Sequence, residues 1–160
     1  MEFKRLHFVR AYKFNKMESL LLRPFVNEDK SQLSELYSQE WETNITEEIL
    51  SKFFLNDNYL FVAEENYKII ASANLHLQYK LIHYGGVMGY IEDVIVSNEH
   101  RGRGIGKKIV SRLLEEAKNK KCYKVALLCD KGLEKFYLGS KLKTQEKFAM
   151  EKVFKENFTY

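Results

Sequence analysis

From Ser19 onward the hydrophobic positions switch between a period near two and a period near three and a half. Leu20, Leu21 and Leu22 followed by Arg23-Pro24 predict a first strand that stops at proline, which has no N–H to give a ladder. Asn27-Glu28-Asp29 predicts a helix start, with Leu33, Leu36 and Tyr37 on its apolar side, and Thr46-Glu47-Glu48 predicts a second start before Ile49, Leu50, Phe53 and Phe54. Tyr59–Ala63 and Ile69–Leu77 read as two strands joined by a tight turn near Glu65-Asn66. Gly85-Gly86 breaks the chain before a strong strand from Met88 to Val96. Ile105, Ile109, Val110, Leu113, Leu114 and Ala117 then fall at helical spacing, with Lys107, Lys108, Arg112, Glu115, Glu116 and Lys118 opposite. Tyr123–Leu128 is a compact apolar strand, and Asp130 could cap a short helix through Leu133, Phe136 and Tyr137. A loosely alternating tail, Phe148–Phe154, predicts a last strand. The order β-α-α-β-β-β-α-β-α-β is that of a mixed α/β sheet with no internal repeat.

Length and composition narrow the class. A chain of 160 residues fits one core, and its single proline argues against disordered linkers. No apolar run approaches the roughly 20 residues of a membrane helix. Cys122 and Cys129 suggest neither a disulfide framework nor a metal quartet, so a reducing, cytoplasmic setting is expected. The net charge of +4 is carried by the first 16 residues, where Lys4, Arg5, Arg10, Lys13 and Lys16 face only Glu2. Residues 17–160 are then balanced, unlike a folded nucleic-acid binder with its excess on one face. Residues 1–16 are expected to be a basic extension preceding an alternative start at Met17, with an amphipathic membrane or targeting segment as the other reading. Residues 17–160 form the domain.

The strongest chemical signal is Arg101-Gly102-Arg103-Gly104-Ile105-Gly106-Lys107, between the Met88–Val96 strand and the amphipathic helix. Glycines there let successive N–H groups point into one concavity, and the positive end of the following helix favours an anion such as a pyrophosphate. A Walker loop needs four residues between its first glycine and Gly-Lys; only three separate Gly102 from Gly106-Lys107, and Lys108 takes the place of Ser or Thr. A dinucleotide fingerprint needs Gly-x-Gly-x-x-Gly, and this loop is one residue short.

Arg-x-x-Gly-x-Gly after a strand resembles the acyl-CoA pyrophosphate loop of the GNAT superfamily. Lys80-Leu81-Ile82-His83, Gly89-Tyr90-Ile91-Glu92-Asp93-Val94-Ile95-Val96, Lys121-Cys122-Tyr123-Lys124 and Lys135-Phe136-Tyr137 extend the likeness to the glucosamine 6-phosphate N-acetyltransferases within it. The similarity is close over residues 78–137 and holds in outline over 19–154.

The resemblance implies the GNAT fold: a mixed, mostly antiparallel sheet with helices on both faces and a V-shaped splay between central strands. It implies transfer of acetyl from acetyl-CoA to the 2-amine of D-glucosamine 6-phosphate, on the route to UDP-N-acetylglucosamine, without a metal. It also implies a homodimer whose last strands exchange. Backbone groups of Val94, Ile95 and Val96 would align the pantetheine and polarise the carbonyl, although their side chains read as strand core. The loop from Gly102 through Arg103, Gly104, Ile105 and Gly106 to Lys107 would hold the pyrophosphate, with Arg101, Arg103 and Lys107 adding charge.

By the same likeness Glu92 and Asp93 contact the amino sugar, and one carboxylate orients or deprotonates its amine. As neighbours in a strand they are expected on opposite faces, which excludes a dyad acting on one atom. Tyr137 would place its hydroxyl beside the departing thiolate. Lys80, Leu81, Ile82, His83, Tyr123, Lys124 and Lys152 would contact the acceptor and its phosphate. His7, His76 and His100 receive no role.

The sequence also departs from the family. Leu128 stands where an Asp is usual, Leu133 replaces an Asn, Ser140-Lys141-Leu142 replaces a Cys-Gly-Phe-type turn, and Trp41 lies near a substrate-contacting Thr. These changes leave open two rivals: the same fold acetylating another small amine or a protein amine, and a non-catalytic acyl-CoA-binding module.

Overall fold

The computed structural model describes residues 20–146 and 149–152. Over these residues the chain forms β1 (Leu21–Pro24), α1 (Lys30–Tyr37), α2 (Glu47–Phe54), β2 (Asn58–Glu65), β3 (Lys68–Tyr79), β4 (Val87–Val96), α3 (Ile105–Asn119), β5 (Cys122–Ala126) and α4 (Glu134–Leu138). The expected basic extension, residues 1–16, lies outside the described residues. Of the expected strand Phe148–Phe154, residues 149–152 are described and form no strand, and the other three lie outside the described residues.

Local chemistry explains the starts and turns. Thr46 caps α2, its hydroxyl accepting from the Ile49 N–H at 3.3 Å, and Glu47 and Glu48 suit the positive end of that helix. Asn66 and Tyr67, both at positive φ, make the two-residue turn between β2 and β3, one residue later than expected. Asp130 does not cap a helix through its side chain. A 3₁₀ turn at residues 131–133 intervenes, held by the Leu133 N–H on the Asp130 carbonyl at 2.9 Å, and α4 begins after it.

The strands lie in the order β1-β2-β3-β4-β5. The first three pairings are antiparallel and β4–β5 is parallel, with α3 as the crossover. Two cores sandwich the sheet. Ile105, Ile109, Val110, Leu113 and Ala117 of α3 pack on Phe61, Ala73, Leu75 and Ile91. On the other face Leu33 and Leu36 of α1 and Leu50 of α2 cover Leu60, Val62, Ile69 and Ile95.

One irregularity shapes the centre. Ser72 pairs with Ile95 and Asn74 with Glu92, so the single Ala73 faces both Asp93 and Val94. This is a β-bulge, and Asp93 takes the unusual φ of +51° within it. Ile91 therefore packs on the α3 side and Ile95 on the α1 side, although residues four apart on a regular strand share a face. The strict alternation that set Glu92 and Asp93 on opposite faces fails here, because Asp93 is the extra residue.

A second feature opens the sheet. Parallel pairing runs only from Val87↔Cys122 to Tyr90↔Ala126. Beyond Tyr90, β4 continues to Val96 without β5, so among the described residues the β5-facing backbone groups of its second half have no strand partner.

The periodicity gave no hint of the ion cluster that ties β1 to the sheet. Arg23 donates to Asp29 at 2.6 and 2.8 Å and to Glu64 at 2.7 and 2.8 Å. Asp29, 5% exposed, also accepts the Val26 N–H at 3.0 Å. Arg23→Met would leave two acids without their cation, and we expect it to cost on the order of 3 kcal/mol in urea unfolding at neutral pH. The Arg23 guanidinium holds the Asp29 carboxyl below its usual value of 3.8. A depressed folded pKa contributes stability above the unfolded pKa and loses it as pH falls through the folded one. The gap between the parent and the variant should therefore narrow in acid below about pH 4.

Candidate active site

The glycine-rich loop sits at the N-terminus of the 15-residue helix α3. Its three glycines do different work. Gly102 and Gly104 have φ of +77° and +76° and nothing within 4 Å of where a Cβ would stand, so they are required for backbone shape. Gly106 has ordinary φ, but a Cβ there would stand 3.0 and 3.1 Å from the Phe136 ring and 3.4 Å from Val96. The first-turn N–H groups of Ile105, Gly106 and Lys107 have no carbonyl four residues back within the helix. Together with the open space over Gly102 and Gly104, they form a cradle suited to a pyrophosphate.

The loop's arginines are engaged elsewhere in the fold. Arg101 pairs with Glu40 and donates from Nε to the Val96 carbonyl at 3.1 Å. Arg103 holds Glu65 with two bonds of 2.7 and 2.9 Å. Lys107 lies against the end of α4, where a Cβ on Gly139 would be 2.8 Å from its Nζ.

Val94, Ile95 and Val96 occupy the part of β4 that β5 has left. Ile95 is buried, and the other two are half-buried against the α3 core. Glu92 and Asp93 are exposed just before them. Partial desolvation pushes the Asp93 carboxyl above its ordinary value. Asp93 also acts on Tyr37, a residue that pattern alone had placed only on the apolar side of α1. Burial, with a smaller contribution from the Asp93 charge and against the Ser72 hydroxyl 3.5 Å away, pushes the Tyr37 phenol up to about 12. Trp41 packs on Tyr37 with ring centroids 5.2 Å apart.

Tyr137 lies on α4, half-buried against the α3-side core and edge-on to Phe136 at 4.7 Å. Burial, helped by the nearby Cys129 thiol, raises its phenol above the ordinary value. Because Phe136 touches Gly106, α4 and the loop share a contact.

The expected acceptor contacts fall elsewhere. Lys80, Leu81, Ile82 and His83 form the β3–β4 turn, closed by the Lys80 N–H on the Gly86 carbonyl at 2.9 Å. The His83 ring packs at a tilt of 43° on Tyr123 with centroids 4.7 Å apart, and the Tyr123 hydroxyl reaches the Met88 sulfur at 4.0 Å. Lys124 pairs with Met88, five residues before Asp93, which puts this group roughly 17 Å along β4 from the acids. Lys152 is exposed on irregular backbone. Within one chain the expected residues therefore make two groups, the cradle with β4 and α4 at one end and the turn with Tyr123 and Lys124 at the other. Among the departures, Leu128 is 83% exposed and Leu133 48%.

The model of the Acetyltransferase (GNAT) family matches residues 15–139. The chain belongs to the GNAT acetyltransferase family. Among relatives, the probable glucosamine 6-phosphate N-acetyltransferase 2 of Oryza sativa subsp. japonica is 40% identical over 86 residues, 51% of this chain and 52% of that one. Glucosamine 6-phosphate N-acetyltransferase 1 of Dictyostelium discoideum is 32% identical over 112 residues, 65% of this chain and 71% of that one. The chain spans about half the length of the first curated relatives it matches. The crystal structure of glucosamine-6-phosphate N-acetyltransferase from Arabidopsis thaliana superposes with a TM-score of 0.77 at 31% identity, covering 86% of this chain and 99% of that one. The mixed sheet, the helices on both faces and the parting of β4 from β5 agree with the expected GNAT fold.

For this GNAT chain the distinct roles of the glycines can be separated by stability. Gly104→Ala should cost about 1 kcal/mol, the penalty of a left-handed Cβ. Gly106→Ala should lower the melting temperature through Phe136, and Phe136→Leu added to it should restore part of the loss while leaving Gly104→Ala unrelieved.

Proposed function

We propose that the chain transfers acetyl from acetyl-CoA to the 2-amine of D-glucosamine 6-phosphate. The observation that carries this reading is the parting of β4 from β5 beside the glycine cradle, with Tyr137 on α4 joined to that cradle through Phe136 and Gly106. The likeness to named glucosamine 6-phosphate N-acetyltransferases supplies the acceptor. Acetyl-CoA brings an activated acyl carbon and a thiolate leaving group.

The residues divide the work. N–H groups from Gly102 to Lys107, with Arg101 and Arg103 behind them, hold the pyrophosphate. The open edge of β4 at Val94, Ile95 and Val96 lines up the pantetheine arm by strand-like hydrogen bonds, and one N–H there faces the carbonyl oxygen as negative charge grows on it. Glu92 and Asp93 orient the amine, and the proton released as the N–C bond forms goes to the Asp93 carboxylate, whose raised pKa makes it the better base. As the C–S bond breaks, the Tyr137 hydroxyl donates to the sulfur; its raised pKa keeps it protonated at neutral pH.

A dimer completes the acceptor site in this reading. Leu81 is 104% exposed, Ile82 64% and Tyr84 109%, so the β3–β4 turn offers apolar surface to a second copy. The partner's turn, with its own copies of the Lys80, His83, Tyr123 and Lys124 group, would then bring cations toward Glu92 and Asp93, and Lys152 would add another. Residues 17–160 are the catalytic domain and residues 1–16 an extension it does not need.

Two measurements test the proposal. Thiol release from acetyl-CoA across a panel of amino sugars and amines should be fastest with glucosamine 6-phosphate and far slower with unphosphorylated glucosamine. Equal specificity constants would favour another amine, and no release with any acceptor would favour a binding module. Tyr137→Phe keeps the ring and its packing, so its turnover number should fall by about two orders of magnitude with little change in melting temperature or in either Michaelis constant. Unchanged turnover would remove Tyr137 from the chemistry.

A further inference from the structure

Glu65 is a carboxylate beside a loop suited to an anion, and the function above gives it no work. Charge alone makes its position unfavourable, since it lowers the local positive potential that a pyrophosphate needs. It is 8% exposed, at the end of β2. Its two oxygens accept from the two terminal nitrogens of Arg103 at 2.7 and 2.9 Å, a fork-to-fork pair that fixes orientation as well as distance. His100 Nε2 stands 3.8 Å from the same carboxylate, and the Lys108 charge also acts on it.

Glu65 is itself held. It precedes the Asn66-Tyr67 turn, and Gln32 of α1 bridges that turn by donating to the Tyr67 carbonyl at 3.3 Å and accepting from the Ile69 N–H at 2.9 Å. A continuous set of bonds thus runs from α1 through the β2–β3 turn to Arg103, the residue between the two left-handed glycines Gly102 and Gly104. Glycine is the residue with most backbone freedom to lose, so an untethered Gly-Arg-Gly would be disordered before an anion bound.

We infer that Glu65 is a positioning residue: it spends the Arg103 charge to hold the glycine cradle in its anion-binding shape. The inference rests on the acetyl-CoA reading of the cradle. It makes a prediction opposite in sign to simple electrostatics. If Arg103 served only as charge for the phosphates, removing the Glu65 carboxylate would make the site more positive and tighten binding. If Glu65 positions the loop, removing it weakens binding although the site becomes more positive.

The test is calorimetric titration of free CoA into the full chain and its Glu65→Gln, Glu65→Ala, Arg103→Ala and Glu65→Ala/Arg103→Ala variants. Amide hydrogen exchange over residues 101–108 is followed without ligand. Glu65→Ala should weaken CoA by about three- to tenfold, the cost of re-ordering about one residue. Glu65→Gln, which keeps the shape and one acceptor, should lie between it and the parent. Loop exchange should quicken in the same order, and the double variant should bind no worse than Arg103→Ala, because the pair acts as one unit. For the two single Glu65 variants, steady-state kinetics should show the loss in the acetyl-CoA Michaelis constant, with turnover at saturation nearly unchanged. Tighter or equal CoA binding by both Glu65 variants, or loop exchange at the parent rate, would overturn the inference while leaving the acetyl-CoA reading intact. Failure of the unaltered chain to bind CoA would overturn that reading and this one with it.

Discussion

Between Glu92 and Ile95 the β4 backbone carries two residues against the single Ala73 of β3, and Asp93 absorbs the excess at positive φ. The rest of the site depends on that insertion. A bulge increases local twist, and just before it β4 parts from β5, so the sheet opens where the strand is most distorted. The shift also moves Val94 and Val96 onto the α3 side, next to the cradle, and sends Ile95 to the α1 core. A regular strand would put Ile91 and Ile95 on one face and could not serve both cores in this way.

The packing on either side supports this distortion. α3 buries one apolar stripe against β2, β3 and β4, which fixes its N-terminus against the end of β4. On the opposite face the Tyr37 hydroxyl lies 3.5 Å from that of Ser72, beside the residue that faces the bulge, and its half-buried ring packs on that core. Asp93 therefore sits between a tightly packed sheet and the surface, exposed enough to reach a ligand and desolvated enough to hold a proton more readily than a free aspartate.

Much of this was legible in the residues. Period-two and period-3.6 runs located the elements up to α4 within a residue or two, and the spacing of Gly102, Gly104 and Gly106 marked the cradle. The bulge was not legible, because nothing in Ile-Glu-Asp-Val-Ile announces a left-handed residue; the hint was that two apolar residues flank a pair of acids at a spacing that fits neither face cleanly. The pairings of Arg103 with Glu65 and Arg101 with Glu40 span 38 and 61 residues, and local pattern carries no such information. For the same reason the cradle's cations read as ligand-binding charge when they are also ties within the fold. The acceptor contacts read as one set and lie in two groups within one chain, because local pattern does not show how far apart the two ends of β4 hold them.

The contact between Gly106 and Phe136 has a consequence for anyone redesigning this scaffold. The residue that must stay small for the cradle to fit and the residue that supports the tyrosine helix are in van der Waals reach of each other. A change at Gly106 made to reshape the cradle would be transmitted to α4 through Phe136, so the two positions form a single steric coordinate. Libraries that vary them jointly would sample useful geometries that one-at-a-time scanning misses.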